Sequence, residues 1–230
     1  MGREMTSDVA VLEGMVALAG KEVLDVGCGR GALLRDLAAR GARMTGMEIS
    51  EEQLAAALAA DDDSGSRYVV GEAQRLPLAD GSVDLVLFMR SLHHIPIASH
   101  RQALHEARRV VRGGGAVYVA EPLPEGDFFT MTSLVEDELE VRRAAQRALK
   151  EASAVGLESA GATEYEVAGR YADLEAFRNL ILAADPERGP VFEARRAELE
   201  RMFGRLGEPM DGGGRCFRQP MRAELLRVPG

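Results

Sequence analysis

Residues 22–31 read E-V-L-D-V-G-C-G-R-G, and this stretch decides which fold the chain can adopt. Residues 23–26 are apolar apart from Asp25, which is typical of a buried strand. Three glycines at alternate positions end that strand: Gly27, Gly29 and Gly31. From Ala32 onward the apolar residues have the spacing of a helix face. Because glycine has no Cβ, its backbone can turn tightly and approach a ligand. The stretch therefore predicts the start of a nucleotide-binding α/β unit, with the helix N-terminus facing the ligand.

The composition fits a protein that folds around a sizeable core. The chain has 230 residues, of which 46% are hydrophobic and 28% charged, and its formal net charge is −9. Such a charge repels phosphate backbones, so we expect no nucleic acid partner. Cys28 and Cys216 do not form a disulfide framework, and a cytoplasmic location is the simplest interpretation. No apolar run approaches the length of a membrane span.

Apolar runs and helical patterns alternate after the glycine turn. Strands are predicted over residues 42–47, 67–70, 83–89 and 116–120. Helices are predicted over residues 7–18, 32–39, 50–59 and 99–111, with Ser50 and Gln53 forming a capping box. Residues 112–115, R-G-G-G, should end the last of these helices. Alternating strands and helices predict a parallel sheet covered on both faces, with ligands bound beyond the carboxyl ends of the strands.

The sequence pattern changes after Glu121. We predict a loop at residues 122–126, then a long helix over residues 134–155 and a strand over 163–168. A helix capped by Asp173 and a further amphipathic helix come before a last strand over residues 216–228. Phe177, Phe192, Phe203 and Met202 are interpreted as helix core, and the alternative is that some of them line an apolar acceptor pocket under a lid. We read residues 1–230 as a single domain, with a cofactor-binding core over 1–122 and a helical insertion within 123–230.

Acidic side chains stand at the predicted strand ends. Glu48 follows the glycines by about twenty residues, where a carboxylate can accept both ribose hydroxyls, although it could also be a solvated residue before a helix cap. Glu72 could accept from an amino group on a ring beside the Ala73 N–H, or be an exposed loop carboxylate. Asp25 should have a partner, because an unpaired buried carboxylate is costly. That partner is either the backbone N–H groups of the glycine turn or a cationic ligand.

Five motifs in order resemble one family. They read V-L-D-V-G-C-G-R-G, G-M-E-I-S, G-E-A-Q-R-L-P-L-A-D-G-S-V-D-L-V, S-L-H-H-I and V-V-R-G-G-G-A-V-Y-V-A-E-P. They look like the class I S-adenosylmethionine-dependent methyltransferases of the small-molecule type, methyltransferase domain type 11, which includes ubiquinone and menaquinone biosynthesis enzymes. The resemblance covers about residues 23–122. The last hundred or so residues match no motif of that family.

The resemblance implies a Rossmann-like three-layer sandwich with a mostly parallel seven-stranded sheet and an antiparallel last strand. It implies S-adenosylmethionine as methyl donor and S-adenosylhomocysteine as product. We expect no metal, because two adjacent histidines do not make a metal site without a third ligand at suitable spacing. The methionine end would meet the glycine turn, Glu48 the ribose and Met89 the ligand's amino group, while Ile49 and Leu76 would pack against the adenine. The implied cofactor-binding residues are Asp25, Gly27, Cys28, Gly29, Glu48, Ile49, Glu72, Ala73, Leu76 and Met89. Three positions depart from the family pattern: Glu72 for Asp, Arg90 after the fourth strand, and Gly113 for proline.

His93 and His94 are the candidate catalytic bases. Methyl transfer is an in-line displacement, in which the enzyme positions the reactants and excludes water. A base is needed only for a poorly nucleophilic acceptor. Consecutive residues point to different sides, so one histidine at most should face the ligand, and local packing is the alternative interpretation. His100 and His105 are expected to be solvated residues on a surface helix, and Cys28 is expected to be a small structural residue.

Two other functions share these motifs. A nicotinamide-dependent oxidoreductase has an overlapping glycine pattern, but no Tyr-x-x-x-Lys pair accompanies it in this chain. A non-catalytic S-adenosylmethionine-binding regulatory protein would have a damaged cofactor site, whereas the motifs are intact. A methyltransferase acting on a small molecule is therefore the leading interpretation, and the sequence also allows a homodimer. It does not identify the acceptor.

Overall fold

The structure is a computed structural model that describes residues 2–61 and 63–229. The strands in these residues are β1 (Glu4–Met5), β2 (Glu22–Val26), β3 (Arg43–Glu48), β4 (Arg67–Val70), β5 (Val83–Met89), β6 (Val111–Pro122), β7 (Glu158–Tyr171), β8 (Glu208–Pro209) and β9 (Arg215–Arg227). The helices are α1 (Asp8–Met15), α2 (Ala32–Ala39), α3 (Glu51–Ala59), α4 (His100–Val110), α5 (Gly126–Thr132), α6 (Leu139–Lys150), α7 (Leu174–Ala184), α8 (Gly189–Ala194) and α9 (Arg196–Leu206). Short 3-10 helices cover Leu92–His94, Ile97–Ser99, Ala152–Val155 and Pro186–Arg188.

The described chain separates into two compact units. The smaller unit holds the residues up to Ser7, Pro122–Arg143 and Glu164–Met221. The larger unit holds Asp8–Glu121, Ala144–Thr163 and the residues from Arg222 onward. The single-domain organisation, with its division at residue 122, stays a prediction.

The larger unit contains the predicted open sheet, in which the strands follow the order β6-β5-β2-β3-β4, together with the first part of β7 and the last part of β9. β2 pairs in parallel with both β3 and β5, β3 pairs in parallel with β4, and β5 pairs in parallel with β6. Val228, which follows β9, exchanges backbone hydrogen bonds with Gly114 and Gly115 in β6. The chain moves outward from β2 through β3 to β4 and then returns to β5 on the other side. The two halves of the sheet therefore diverge between β2 and β5, where open α/β sheets bind ligands.

The strands of the larger unit are buried between helices. Leu24, Val86 and Phe88 have no exposed surface and belong to one core cluster. Leu104 of α4 and Leu149 of α6 join the same cluster. Burial of β5 on both faces confirms the prediction from its nearly all-apolar sequence.

The smaller unit has an aromatic core of its own. Phe177 and Phe192 have no exposed surface, Phe203 is 9% exposed, and Met202 packs against them. This cluster confirms that these residues are helix core. Within the same unit β1 pairs in parallel with β7, and β8 pairs in antiparallel with β9. The Leu123 N–H donates to the Pro220 carbonyl in that unit. Together with the bonds of Val228 to Gly114 and Gly115, this bond makes β9 antiparallel to β6, as predicted for the last strand.

The seven-strand prediction omitted two strands of two residues each, β1 and β8, which bring the sheet to nine strands. Both are too short to show an alternating pattern. The helical insertion before the last strand is present as α7, α8 and α9. No helix among the described residues has both the length and the apolar character that crossing a bilayer would require.

Several element boundaries differ from the predictions. The first helix is shorter, β7 is longer, and α5 lies where a loop and its flank were expected. The long helix predicted from residue 134 begins at Leu139, whose N–H donates to Asp137 Oδ1 at 3.0 Å. The glycines at residues 113–115 continue β6 and do not form a turn. A Cβ on Gly115 would lie 2.7 Å from the Asp84 carbonyl, so glycine allows this close strand approach.

Candidate functional site

The glycine turn after β2 has a backbone that favours glycine at three positions. The φ angles are +78° at Gly27, +54° at Gly29 and +72° at Gly31. The Gly27 and Cys28 N–H groups donate to the Met47 carbonyl at 2.8 and 3.0 Å, which ties the turn to β3. A Cβ on Gly27 would lie 2.8 Å from the Ser91 Cβ. The turn is therefore fixed between β3 and the segment after β5.

Glu48, at the end of β3, is held by backbone N–H groups. It is 8% exposed. Its Oε2 accepts from the Gly29 N–H at 2.9 Å, and its Oε1 accepts from the N–H groups of Ile49 at 2.9 Å and Ser50 at 3.1 Å. The alternative of a solvated carboxylate is wrong, because three backbone donors hold a buried group. This arrangement fixes a carboxylate beside the glycine turn.

Only half of the predicted capping box is present at the start of α3. The Gln53 N–H donates to Ser50 Oγ at 3.3 Å, as expected. The Ser50 N–H donates to Glu48, whereas the prediction gave it to the Gln53 side chain. Glu48 thus replaces the second half of the box and links α3 to the glycine turn.

Asp25 is a buried carboxyl group at the end of β2. It is 2% exposed. Burial and then the nearby charge of Glu48 raise the pKa of Asp25 to about 7. Among the described residues, the Gly29 N–H goes to Glu48, and no hydrogen bond reaches the Asp25 carboxyl group. Of the two partners predicted for Asp25, the backbone N–H groups of the glycine turn are therefore excluded among the described residues, and a cationic ligand remains.

Cys28 has the environment of a structural residue. It is 9% exposed and free of disulfides. Burial, and then the charges of Asp25 and Glu48, raise the pKa of the Cys28 thiol to about 12. A Cβ on Gly46 would lie 2.8 Å from its Sγ, so the thiol fills space beneath β3. A neutral, packed thiol is a poor nucleophile.

The loop after β4 is tied to Glu48 through its backbone. The Gly71 N–H donates to the Glu48 carbonyl at 3.2 Å. Glu72 is exposed and Ala73 is 7% exposed, whereas Leu76 is 3% exposed and belongs to the core. The side chain of Leu76 lies in the core, and a contact between Leu76 and an adenine ring stays a prediction. Ile49, the residue after Glu48, is 65% exposed and presents an apolar surface to solvent.

The segment after β5 packs against the glycine turn. Met89 is half-buried, and Arg90 adopts a φ of +56° while its Nη2 donates to Asp8 Oδ2 at 2.6 Å. Arg90, one of the three positions that depart from the family pattern, thus forms an ion pair with Asp8. Ser91 Oγ donates to the Val26 carbonyl at 2.6 Å. The 3-10 helix Leu92–His94 therefore starts against the end of β2.

Glu121, at the carboxyl end of the β6 core, is a site residue that the sequence analysis missed. It has no exposed surface. Its Oε1 accepts from the Leu92 N–H at 2.8 Å, and its Oε2 is hydrogen-bonded to His93 Nδ1. His93 is 4% exposed, whereas His94 is exposed. The signal was available, because Glu121 ends an apolar strand just as Asp25 and Glu48 do.

The structure brings the predicted residues together at neighbouring strand ends. Hydrogen bonds join Glu48 to Gly29, and Ser91 joins the histidine segment to the end of β2. A cavity of about 220 Å³ is lined by α4 and α6, and its lining includes none of the predicted site residues. That cavity includes His100, whose Nε2 is bonded to the Ile95 carbonyl at 3.0 Å. His100 is 3% exposed, so the prediction of a solvated residue is wrong for it.

Comparisons with known proteins find similar methyltransferases. Residues 24–119 match the model of a methyltransferase domain. The chain is 34% identical over 170 residues to 27-O-demethylrifamycin SV methyltransferase of Amycolatopsis mediterranei, covering 71% of this chain and 58% of the relative. It is 35% identical over 108 residues to ubiquinone biosynthesis O-methyltransferase of Dechloromonas aromatica, covering 46% of each. The chain thus spans about half the length of these relatives.

A solved structure matches over nearly the whole chain. A candidate methyltransferase from Bacillus halodurans superposes with a TM-score of 0.67 at 22% identity, covering 98% of this chain and 100% of that chain. At this level of identity the match shows a shared fold, the mostly parallel Rossmann-like sheet with flanking helices.

Proposed function

We propose that the protein transfers a methyl group from S-adenosylmethionine to a small-molecule acceptor, because residues 24–119 match the model of a methyltransferase domain. The observation that carries the proposal is the pair of carboxyl groups beside the glycine turn. Glu48 is fixed by three backbone N–H groups, and Asp25 is buried next to it without a hydrogen bond from the described residues. Both lie at the carboxyl ends of central strands.

These residues fit a cationic, hydroxylated ligand. Two neighbouring carboxyl groups in a buried place repel each other, and this repulsion contributes to the raised pKa of Asp25. An ammonium or sulfonium group would relieve the repulsion, and Glu48 can accept from ribose hydroxyls. A dinucleotide would instead bring the negative charges of its pyrophosphate to the same turn. The carboxyl pair therefore favours S-adenosylmethionine over NAD.

We assign the cofactor contacts as the sequence suggested. Asp25 and the turn residues Gly27, Cys28 and Gly29 would hold the methionine end, with Glu48 on the ribose. Ile49 supports the adenine assignment, because an exposed apolar side chain beside the ribose carboxylate can pack on a ring.

Two further contacts complete the proposed cofactor site. The loop with Glu72 and Ala73 would face the adenine edge, and Leu76 would support this loop from the core. The Met89 carbonyl would accept from the amino group. The backbone of Arg90 adjoins this carbonyl and donates to the Ala120 carbonyl at 2.8 Å, which fixes the end of β5.

When bound, S-adenosylmethionine supplies a methyl group that a nucleophile displaces from a positively charged sulfur. The chain's own contribution is to position and orient. The glycine turn fixes where the donor lies, and the carboxyl groups of Asp25 and Glu48 attract its cationic end. Restricting both reactants to an in-line geometry converts a bimolecular step into one that is effectively unimolecular.

We propose a small organic molecule as the acceptor and a cytoplasmic location. Two of the relatives have names that indicate O-methylation of a small molecule: 27-O-demethylrifamycin SV methyltransferase and ubiquinone biosynthesis O-methyltransferase. The free cysteines Cys28 and Cys216 agree with a reducing compartment. The net charge of −9 disfavours nucleic acid as the acceptor. A homodimer is a further proposal, which size-exclusion chromatography with light scattering would test.

Ligand-dependent stabilisation tests the proposed cofactor. We expect S-adenosylmethionine and S-adenosylhomocysteine to raise the melting temperature, and NAD to leave it unchanged, because a ligand that binds only the folded state stabilises it. Glu48→Gln keeps an acceptor oxygen but removes the charge, and we expect it to reduce the shift strongly. Glu52→Gln, on the exposed start of α3, is the matched control and should keep the full shift.

Stabilisation by NAD alone would contradict the proposal. A Glu48→Gln protein that responds to S-adenosylmethionine like the wild type would remove Glu48 from the site. Because Glu48 also holds three backbone N–H groups, the melting temperature without ligand must be recorded for each variant, and only the ligand-induced shift compared.

A further inference from the structure

We propose that His93 is the catalytic base, that Glu121 is its positioning residue, and that the acceptor atom is a hydroxyl oxygen. The inference rests on the proposed methyl transfer and adds to it the chemical class of the acceptor and a residue to which the sequence motifs gave no role. It distinguishes His93 from its neighbour His94.

Glu121 is bound at both carboxylate oxygens. Oε1 accepts from the Leu92 N–H at 2.8 Å, and Oε2 is hydrogen-bonded to His93 Nδ1. Glu121 has no exposed surface, and a buried carboxylate without partners would be costly. The two bonds therefore fix both the carboxylate and the imidazole ring at the start of the 3-10 helix Leu92–His94.

The bond to Glu121 selects a tautomer of His93. A carboxylate accepts hydrogen bonds and donates none, so Nδ1 of His93 carries the proton. In the neutral ring Nε2 is then the basic nitrogen. Among the described residues, no hydrogen bond to this Nε2 is present, which leaves its lone pair available. His94 is exposed, and its ring centroid lies 4.0 Å from that of His93.

The histidine segment is anchored to the cofactor turn. Ser91 Oγ donates to the Val26 carbonyl at 2.6 Å, one residue before Gly27. A Cβ on Gly27 would lie 2.8 Å from the Ser91 Cβ, so the two backbones are in close approach. His93 is two residues from Ser91. The base and the proposed donor site are thus parts of one connected structure at the ends of β2 and β5.

A hydroxyl is the acceptor that most needs such a base. Neutral amines and thiolates attack a sulfonium methyl directly, whereas a hydroxyl is a weak nucleophile until its proton leaves. The hydroxyl O–H bond breaks and its proton goes to His93 Nε2. The oxygen forms a bond to the methyl carbon, and the carbon–sulfur bond breaks with its electron pair staying on sulfur. The positive charge lost at sulfur appears on the His93 ring, where the carboxylate of Glu121 stabilises it.

A panel of acceptors tests the chemical class. The protein is incubated with S-adenosylmethionine and a set of phenols, aliphatic alcohols, amines and thiols, and mass spectrometry detects methylated products. We expect products from hydroxyl compounds. If only amines or thiols are methylated, or if no hydroxyl compound of the panel reacts, the proposal is overturned.

Chemical rescue tests the base. Catechol is neutral near pH 7, whereas 4-nitrocatechol is largely ionised there and needs no base. We expect His93→Ala to lower kcat for catechol at least about 100-fold, the size typical of a general base, and to spare 4-nitrocatechol. The hydroxyl compound that reacts best in the panel and a nitro-substituted analogue replace this pair if needed. An equal loss with both acceptors would contradict the role. His105→Ala, on the exposed side of α4, is the matched control and should leave both rates unchanged.

The positioning role of Glu121 has its own readouts. Glu121→Gln should lower kcat about 10- to 100-fold while the KM for S-adenosylmethionine stays the same, because the residue acts through His93. Nitrogen NMR of the imidazole should show the Nδ1–H tautomer of His93 in the wild type and a changed tautomer balance in Glu121→Gln. A wild-type rate or an unchanged tautomer in this variant would overturn the role.

Failure of this inference is separable from failure of the proposed function. If S-adenosylmethionine stabilises the protein and amines are methylated, only the base and the hydroxyl class are wrong. If S-adenosylmethionine does not stabilise the protein at all, the proposed methyl transfer itself is wrong.

Discussion

Asp25 is a carboxyl group in surroundings that disfavour its charge. It is 2% exposed and lies beside Glu48, and its pKa is raised to about 7 from an ordinary value of 3.8. A carboxyl whose pKa is raised on folding contributes stability that is fully present below its unfolded pKa and is lost as the pH rises through the folded pKa. Without ligand, the free energy of unfolding therefore falls as the pH rises from about 4 to about 7, and it keeps its lower value above pH 7.

Asp25→Asn should remove this dependence on pH. We expect the ligand-free variant to be more stable than the wild type at pH 8, by a few kcal/mol, since one unit of pKa shift corresponds to about 1.4 kcal/mol. The advantage should shrink at pH 5, where the wild-type group is protonated in the folded state. Urea unfolding at both pH values measures the difference. Glu52→Gln is the control, and an equal effect of Asp25→Asn at pH 5 and pH 8 would contradict the raised pKa.

At the scale of single residues, the sequence was sufficient to predict the acidic site residues that lie at the carboxyl ends of strands, where open α/β sheets bind ligands. Asp25 was predicted because it lies in the strand end before the glycines, and Glu48 because it ends the next strand about twenty residues after them. The three donors to Glu48 were not predictable, since they depend on how β3 meets the turn. Glu121 ends an apolar run as well, but its role depends on His93, which is distant in the sequence and near only after folding.

Among the elements, α4 holds the loop that follows β4. Glu106 Oε2 accepts from the Leu76 N–H at 3.0 Å, and Arg109 Nη2 donates to the Leu76 carbonyl at 3.0 Å. Arg109 also donates to the Leu78 carbonyl at 2.9 Å and pairs with Glu106. The hydrogen bonds of Arg109 lower the pKa of Glu106. One turn of α4 thus fixes the backbone of the loop that we assign to the adenine.

Arg109→Met should release this loop. We expect a loss of about 1–3 kcal/mol in the free energy of unfolding, because the carbonyls of Leu76 and Leu78 and the largely buried Glu106 lose a donor. We also expect weaker binding of S-adenosylmethionine by calorimetry. Arg101→Met, on the exposed side of the same helix, is the control. If both variants were equally stable and bound the cofactor equally well, α4 would have no role in positioning the loop.

Helices and strands that depend on the residues within their own stretch of sequence were predicted well. Those that depend on contacts with residues far away in the sequence were not. The strands β4 and β5 agree with their predictions, since each is a short stretch with β-branched residues that is bounded by turn residues. The glycines at 113–115 have the composition of a turn, yet they extend β6 because Val228 pairs with Gly114 and Gly115. No local pattern shows that partner.

At the scale of the whole molecule, the chain has two compact units with separate cores. The motifs and the matched family domain, residues 24–119, lie in the larger unit. The smaller unit packs around Phe177, Phe192 and Phe217 and resembles no motif that the sequence analysis could use. The sequence motifs therefore indicated a methyl donor from the larger unit alone and did not identify the acceptor. It could not show two units, because each is assembled from three separate stretches of chain.

The most direct test of the proposed cofactor site is an NMR titration of the nitrogen-labelled protein with S-adenosylmethionine. We expect the backbone amide signals of Gly27, Gly29, Ile49 and Ala73 to shift, because all four residues belong to the cofactor contacts that we propose. The signals of Gly204 in α9 and Gly213 serve as controls and should stay unchanged. If the glycine-turn amides do not respond, or respond only to NAD, S-adenosylmethionine is not the ligand of this site.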